Sequence, residues 1–386
     1  MTEPRVAIAY DCLFPVNAGG GERVYRRLAE LFVDRGSEVD YLTRRQWSGK
    51  PPPASFEIVG VWNGEIYDSG GTRTTASALA FAWALFRAFL RRRGDHDLVI
   101  VSALPVLNVF AVRLALLGSG TLLVSDWLEV WSARQWRAYS GAAVGTVAAI
   151  LQRIGLRISR VHTANSEFTA ERIRRYRPRA APIVLGLVDL VGASSDTPGV
   201  PVDPPFVLFV GRHIADKRLS ALPAALAEAR RRIPDLRAIV VGSGPETSVA
   251  VAAAEKAGVA DEIEFTGRVS DERLEQLFRT AAALVNPSAR EGFGLVVAEA
   301  AAFGTPSVVV AGEDNAAAEL VESGVNGVVA SSVSSTDLGS AIVRAVEAGP
   351  ALRAATLRWF ETARVDRSLR VSVDRLLDTY RGISPR

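Results

Sequence analysis

Short runs of β-branched and aliphatic residues recur along the chain, each followed by a longer stretch whose apolar positions repeat every three to four residues. In the first half the continuous runs are VAIAY, EVDYLT, FEIV, LVIVS, TLLVS, VHTAN and PIVL. In the second half they are FVLFVG, AIVVG, IEFTG, ALVNP and PSVVV, with helical stretches such as LSALPAALAEARRRI and DERLEQLFRT between them. A strand that is apolar at every position is covered on both faces, so the alternation predicts parallel sheets with helices on either side, the doubly wound α/β class. The alternation breaks once, at GLVDLVGASSDTPGVPVDPP (186–205), which is rich in Gly, Ser and Pro and carries neither period. That segment reads as a connection between domains. The expected architecture is two Rossmann-like doubly wound domains facing across a cleft, with ligands bound beyond the carboxyl ends of the strands.

Composition narrows the function classes. A chain of 386 residues suits two domains, and 48% hydrophobic with 23% charged residues is ordinary for a globular protein. The single Cys12 excludes an internal disulfide framework and cysteine-based zinc sites, and three scattered histidines argue against a metal cluster. The opening MTEPRVAIAY passes straight into a strand-like run, which predicts no secretory leader and a cytoplasmic location. The most apolar stretch, Ala76 to Leu90, is shorter than a membrane span and contains Arg87. It reads as a buried helix; the other reading is a helix on the inner membrane face, with Arg91, Arg92 and Arg93 near headgroups. Net charge is only +3, and clusters such as RIRRYRPR lack an aromatic stacking pattern, so nucleic acid is not an expected partner.

The candidate chemistry gathers in NPSAREGFGLVVAEAAAFGTP, residues 286–306. Glu291 and Glu299 bracket a Gly-Phe-Gly turn that opens a helix. Such a turn presents unpaired backbone N–H groups and the positive end of a helix dipole, which suits a phosphate. Glu299, over a turn along the helix, is placed to accept hydrogen bonds from the vicinal hydroxyls of a ribose. Glu291, before the turn, faces whatever lies beyond the phosphates. The plainer reading is an acidic first helical turn closing on Gly304 and Pro306. In GRHIADKRLS, Arg212 and Lys217 follow the first strand of the second half, where a planar fork and a point charge can neutralise a diphosphate. The alternative is two solvated cations, and His213 reads as structural.

Elsewhere the signals are weaker. NAGGGERVYRRLAELF leads a glycine run, including Gly20 and Gly21, into a helix, without a Walker ending or a dinucleotide fingerprint. GSGPE (242–246) and GRVSDERL (267–274) repeat the strand, turn and helix-start arrangement, with Asp271 as a helix cap and the backbone at Val269 as an edge of a base pocket. The string Asp95-His96-Asp97 precedes a strand instead of following one and is discounted as a metal motif.

Taken together, GRHIADK, VGSGPE, FTGRVSDERL, EGFGLVVAE and GVNGVV, with GGGERVYRRLAE and HTANSEFTAERI in the first half, resemble glycosyltransferase family 4. These are nucleotide-sugar-dependent transferases with the GT-B fold, and the likeness covers most of the chain. It implies an acceptor-binding domain over residues 1–190, a nucleotide-sugar-binding domain over 191–365, and a helix near 366–386 that packs back on the first. Arg212 and Lys217 would then hold the donor diphosphate, Glu299 the ribose, and Glu291 the donor sugar. The segment Gly292, Phe293, Gly294 and Leu295 would serve sugar hydroxyls and phosphate through its amides, while Gly20 and Gly21 would approach the phosphate from the other domain. The family retains anomeric configuration, generally without a metal; the nucleotide sugar, of UDP or GDP type, is a co-substrate and no further cofactor is implied. The acceptor would be a hydroxyl of a sugar, a lipid-linked sugar or a natural product.

One departure stands out. In SDWLEVW (125–131) relatives often carry a histidine next to the first tryptophan, whereas this chain has Leu128, leaving Asp126 and Glu129 as nearby polar candidates. Leu128 also opens the reading of a catalytically weak sugar-nucleotide-binding partner. A nucleotide-sugar epimerase and a nicotinamide oxidoreductase share the α/β pattern as further alternatives. Trp62, Tyr67, Trp127, Trp131 and Trp136 form a candidate stacking platform for an acceptor, against the plainer reading of core aromatics.

Overall fold

The computed structural model describes residues 3–17, 19–66, 74–192 and 194–383. They form two units, one within Met1–Leu190 together with Ser368–Arg386, the other Val191–Arg367. Tyr67, one of the platform candidates, lies outside the described residues.

In the first unit seven strands make one sheet: β1 (Val6–Ala9), β2 (Val39–Arg44), β3 (Glu57–Trp62), β4 (Leu98–Ser102), β5 (Leu122–Trp127), β6 (Val161–Ala164) and β7 (Ile183–Val184). Their order is β3-β2-β1-β4-β5-β6-β7 and every pairing is parallel. The helices between them are α1 (Gly20–Asp34), α2 (Thr75–Arg91), α3 (Leu107–Ala115), α4 (Ala133–Ser140), α5 (Ala142–Gly155) and α6 (Glu167–Tyr176). The central strands explain why the sheet is covered on both sides. Val6, Ala7, Ile8 and Ala9, like Leu98 to Val101, are wholly buried, so each strand has two dry faces to fill. One face takes Phe81, Leu85 and Phe89 of α2, Val109 and Val112 of α3, and Ile173 of α6 against Ala7, Val99, Val101 and Leu123.

The second unit repeats the plan with β8 (Phe206–Val210), β9 (Arg237–Val241), β10 (Ile263–Gly267), β11 (Ala283–Asn286), β12 (Arg290–Glu291), β13 (Ser307–Val310), β14 (Asp314–Asn315) and β15 (Gly327–Ala330). Six of these form a parallel sheet ordered β10-β9-β8-β11-β13-β15, and β12 pairs separately with β14. Its helices are α7 (Leu222–Arg230), α8 (Thr247–Ala257), α9 (Asp271–Thr280), α10 (Leu295–Ala301), α11 (Ser335–Glu347) and α12 (Gly349–Asp366). Leu222, Leu226, Leu338 and Ile342 close over Val207, Phe209, Val285 and Val308 in its core. Arg353 of α12 is 2% exposed and donates to the carbonyls of Gly199, Ala281 and Arg279 and to the Thr305 hydroxyl, sewing the entering segment to the strand ends. Burial lowers its pKa to about 10.

Every run named from the sequence forms a strand, and both sheets are parallel, so the doubly wound reading holds. Three strands were not foreseen. β15 is four residues at a sheet edge, emerging from the turn in GVNG, and β12 and β14 are too short to leave a periodic signal. The segment 186–205 forms no strand or α-helix among its described residues. The last helix, α13 (Leu369–Ile383), packs in the first unit against α1: Arg35 makes a two-pronged pair with Asp374 at 2.8 Å, and Asp189 accepts from the Leu369 N–H at 2.7 Å. No helix among the described residues is long and apolar enough to cross a membrane. The Ala76–Leu90 stretch, expected to be buried, is buried on one face only: Leu79, Trp83 and Leu90 of α2 are exposed.

Candidate active site

In each sheet the chain leaves a central strand and returns on its other side, so loops from adjacent strands splay apart at the carboxyl edge. In the second unit those strands are β8 and β11, and their loops carry GRHIADK and NPSAREGFG.

The loop after β8 is clamped by the turn after β9. His213 donates its N–H to Ser243 O at 3.0 Å, Glu246 N–H donates to His213 O at 2.9 Å, and His213 Nδ1 lies 2.7 Å from Thr247 Oγ1. The approach is close enough to require glycine. At Gly242 φ is 126°, and a Cβ there would stand 1.9 Å from Gly211 O. Burial pushes the His213 pKa down, so at neutral pH this ring is uncharged and props the loop. Arg212, the residue before it, is exposed, and its side chain has no polar partner among the described residues.

The same loop is tied to the segment after β11. Ala289 N–H donates to Asp216 O at 2.7 Å, Arg290 pairs with Asp216 at 2.5 Å, and Lys217 Nζ pairs with Glu291 Oε1. That Glu291 oxygen also accepts from Ser288 Oγ at 3.0 Å and Asn286 Nδ2 at 3.3 Å. Beyond Glu291 the chain bends through Gly292 and Phe293 to Gly294, left-handed at φ 93°, where a Cβ would meet that of Ala317 at 2.5 Å. Leu295 then opens α10 with no side chain capping it; the Val297 N–H donates to Gly294 O at 2.9 Å, and the amides ahead of it in the first turn face outward from the helix start. Glu299 is half-buried on the same helix. Arg212, Lys217, Glu291 through Leu295, and Glu299 therefore share one edge of one unit. Val269 follows β10, two strands from β8, directly before the Ser270 cap of α9.

Two readings of this region are corrected. α10 is seven residues long, ending at Ala301 before Gly304, so any anion preference rests on first-turn amides and Lys217 more than on a long dipole. The cap of α9 is Ser270, whose hydroxyl accepts from Arg273 N–H at 3.2 Å; Asp271 is the first helical residue. The residues missed from sequence are Asn286 and Ser288, 4% and 1% exposed, which hold Glu291. Their signal was a polar NPS directly after a buried apolar strand.

The first unit differs at its carboxyl edge. Gly20 and Gly21 open α1, whose N-cap is Gly19 with no side-chain cap. Gly21 lies under Tyr10, whose hydroxyl would stand 3.0 Å from a Cβ there, and beside Leu128 at 3.7 Å. Asp126, expected as a catalytic candidate, is 1% exposed, and its two oxygens accept from the Tyr25 and Thr163 hydroxyls. Burial raises its pKa while those hydroxyls lower it. As placed it braces strand ends from within the unit. The platform is corrected too. Trp127 is 1% exposed and donates to His162 Nδ1 at 3.1 Å, and Trp62 packs on Phe81. Trp131 and Trp136 do meet, at 4.8 Å between ring centroids, and Gln152 Oε1 accepts from Trp131 N–H at 2.9 Å and Trp136 Nε1 at 3.0 Å. His96 and Asp97 are occupied by structure: His96 lies 2.9 Å from Asp40 and Asp97 accepts from Arg5 N–H, while Asp95 is exposed. Among the described residues no group of three or more His, Cys, Asp or Glu is placed to hold a metal.

Two parallel doubly wound units, the second with cations and a glycine bend at its switch point, define the GT-B class. The Glycosyl transferases group 1 family model matches residues 193–357, and the Glycosyl transferase 4-like domain model matches 19–186. A D-inositol 3-phosphate glycosyltransferase of Xylanimonas cellulosilytica is 35% identical over 347 residues, 80% of each chain. One of the same name from Nocardiopsis dassonvillei is 34% identical over 203 residues, 48% of this chain, and the match spans only 44% of that relative's length. Sucrose-phosphate synthase from Thermosynechococcus elongatus shares the fold, with a TM-score of 0.76 and 20% identity over 98% of both chains. The chain belongs to glycosyltransferase family 4.

Proposed function

We propose that the protein transfers a sugar from a UDP- or GDP-type nucleotide diphosphate sugar to a hydroxyl acceptor, in the cytoplasm, with retention of anomeric configuration and without a metal ion. The observation that supports this most is the joining of the GRHIADK loop to the EGFG bend through Lys217 and Glu291, with Arg212 open beside them.

Breaking the bond between the anomeric carbon and the phosphate oxygen leaves negative charge on a diphosphate. Fixed cations and amides stabilise that charge without reorganising. In this reading Arg212 forks onto the diphosphate, Lys217 turns from Glu291 towards it, and the Gly294 and Leu295 amides receive a phosphate or sugar oxygen. Glu291, held by Asn286 and Ser288 when Lys217 leaves, orients donor-sugar hydroxyls, and Glu299 takes the ribose. The acceptor oxygen bonds to the anomeric carbon on the face the phosphate leaves, and its proton passes to the departing phosphate oxygen. With Leu128 where relatives carry histidine and Asp126 sealed, proton removal by the leaving group fits the residues present. Calorimetry with UDP, GDP and their sugars, followed by linkage analysis of the product, tests the reading. A nucleotide-sugar affinity, a retained linkage and a rate unchanged by chelator are expected; an inverted linkage rejects the route.

Leu128 beside Gly21 favours one second reading, a sugar-nucleotide-binding partner of another transferase. Turnover by the purified chain alone excludes it.

A further inference from the structure

The outer helices of the first unit carry a surface apart from the GRHIADK loop and the EGFG bend of the second unit. Residues 75–93, 107–120 and 133–160, covering α2, α3, α4 and α5, contain ten arginines and no lysine, aspartate or glutamate, whereas in the whole chain 45 Lys and Arg nearly balance 42 Asp and Glu. Large apolar side chains stand exposed among them. Trp83 on α2 is 60% exposed, Leu114 at the end of α3 57%, and Val147 on α5 56%. Val144, Val147, Ile150 and Ile154 recur at helical spacing along α5 and are all exposed, so they form one stripe. α2 packs on α3 and α3 on α5, which makes these faces neighbours in one layer.

A pocket of about 470 Å³ opens where α3 turns through Gly118, Ser119 and Gly120 into β5, lined by Arg113 and Arg160. Arg93 reaches the same turn, its Nη2 3.0 Å from where a Cβ on Gly118 would stand. All three arginines are exposed, and none has a polar partner among the described residues.

We propose that this face of the first unit rests on an anionic lipid bilayer, with Arg93, Arg113 and Arg160 at headgroup phosphates and Trp83, Leu114 and the α5 stripe at the boundary with the acyl chains. Charge decides the occupant. A second copy of the chain would set arginines mostly against arginines, with only Asp95 and Asp97 exposed beside Arg93 to offset them. A bilayer with anionic lipids supplies an apolar layer and a plane of phosphates together, the pairing that matches a face of tryptophan, leucine and arginine on which the arginines outnumber the neighbouring acids, Asp95 and Asp97. A solvated monomer surface seldom leaves this many large apolar groups side by side. The inference rests on the first unit alone and is independent of the donor site.

Co-sedimentation of the full chain with phosphatidylcholine vesicles, with and without phosphatidylglycerol, tests it. Binding is expected only to the mixed vesicles and weakens with added salt. Arg113→Gln with Arg160→Gln should lower partitioning about fivefold per arginine. Trp83→Ser should lower it as well; because Trp83 also stacks on Phe86, the arginine pair, exposed and without polar partners, is the variant whose melting temperature and nucleotide affinity should stay unchanged. Failure of the full chain to pellet with mixed vesicles overturns the proposal, as does equal binding to phosphatidylcholine alone. A concentration-dependent dimer in sedimentation velocity that Trp83→Ser abolishes also overturns it, assigning the face to a second copy.

Discussion

The two units share one construction and differ at the edge where the strands end. In the second, the loops after β8 and β11 bring Arg212, Lys217 and Glu291 to a place that is exposed or half-buried, and polar bonds hold the loops while leaving charge accessible. In the first, the polar groups between the strand ends are bonded internally: Tyr10 stacks on Tyr25 at 4.2 Å, and Asp126 is spent on two internal hydroxyls, while the uncapped start of α1 at Gly20 stays exposed. Its charge and apolar surface lie on the outer helices instead. The same fold therefore leaves polar groups at its strand ends either satisfied by protein or open to a ligand.

The sharpest way to break that contrast is to remove the open cations. Lys217→Ala and Arg212→Ala should each lower turnover by roughly two to three orders of magnitude, as loss of one oxyanion donor does, in steady-state assays with the donor found by calorimetry. Arg212→Ala should leave the melting temperature unchanged, because the side chain has no partner to lose; a near-wild-type rate in either variant withdraws the assignment. The internally bonded groups should respond in stability instead. Asp126→Ala strands two buried hydroxyls and should cost about 2–4 kcal/mol in denaturant unfolding, with nucleotide affinity in the second unit within twofold of wild type. A changed affinity at unchanged stability would erase the distinction.

Gly294→Ala probes the bend between these extremes. Forcing a side chain into φ 93° against Ala317 should cost about 1–3 kcal/mol and weaken nucleotide binding, a double effect that a purely structural glycine would not give. The smallest effect concerns His162, buried within β6 and facing Arg177, with a pKa lowered to about 4 by burial and then by that arginine. The unfolded chain binds a proton near pH 6.5 that the folded chain refuses. Stability should therefore fall as pH drops from 6.5 towards 4, by about 1 kcal/mol at pH 5.5. His162→Gln should flatten that part of the profile.

Much of this organisation was legible in the chain. The apolar runs marked the strands of both main sheets except the four-residue β15, because a strand buried on two faces must be apolar throughout. The donor-site candidates Arg212, Lys217, Glu291 and Glu299 stood out because cations after one strand and a glycine bend after a neighbouring strand converge at one end of a parallel sheet, in segments that resemble the family. Asn286 and Ser288 were passed over since their role is to hold a neighbour, and nothing in NPS alone says whose oxygen they reach. Asp126 was overread because a carboxylate near a strand end looks the same in sequence whether it faces solvent or two hydroxyls.

The sequence by itself determined the parallel strands, the break near residue 190 and the residue types available for an anion, since these follow from periodicity and local chemistry. Tertiary structure alone decided which charges remain open, because that depends on partners far along the chain: Lys217 meets Glu291 across 74 positions and Tyr25 meets Asp126 across 101. It also decided that the apolar α2 keeps one face outside, since helical spacing gives the two faces but only packing against α3 and the sheet selects the one that is buried.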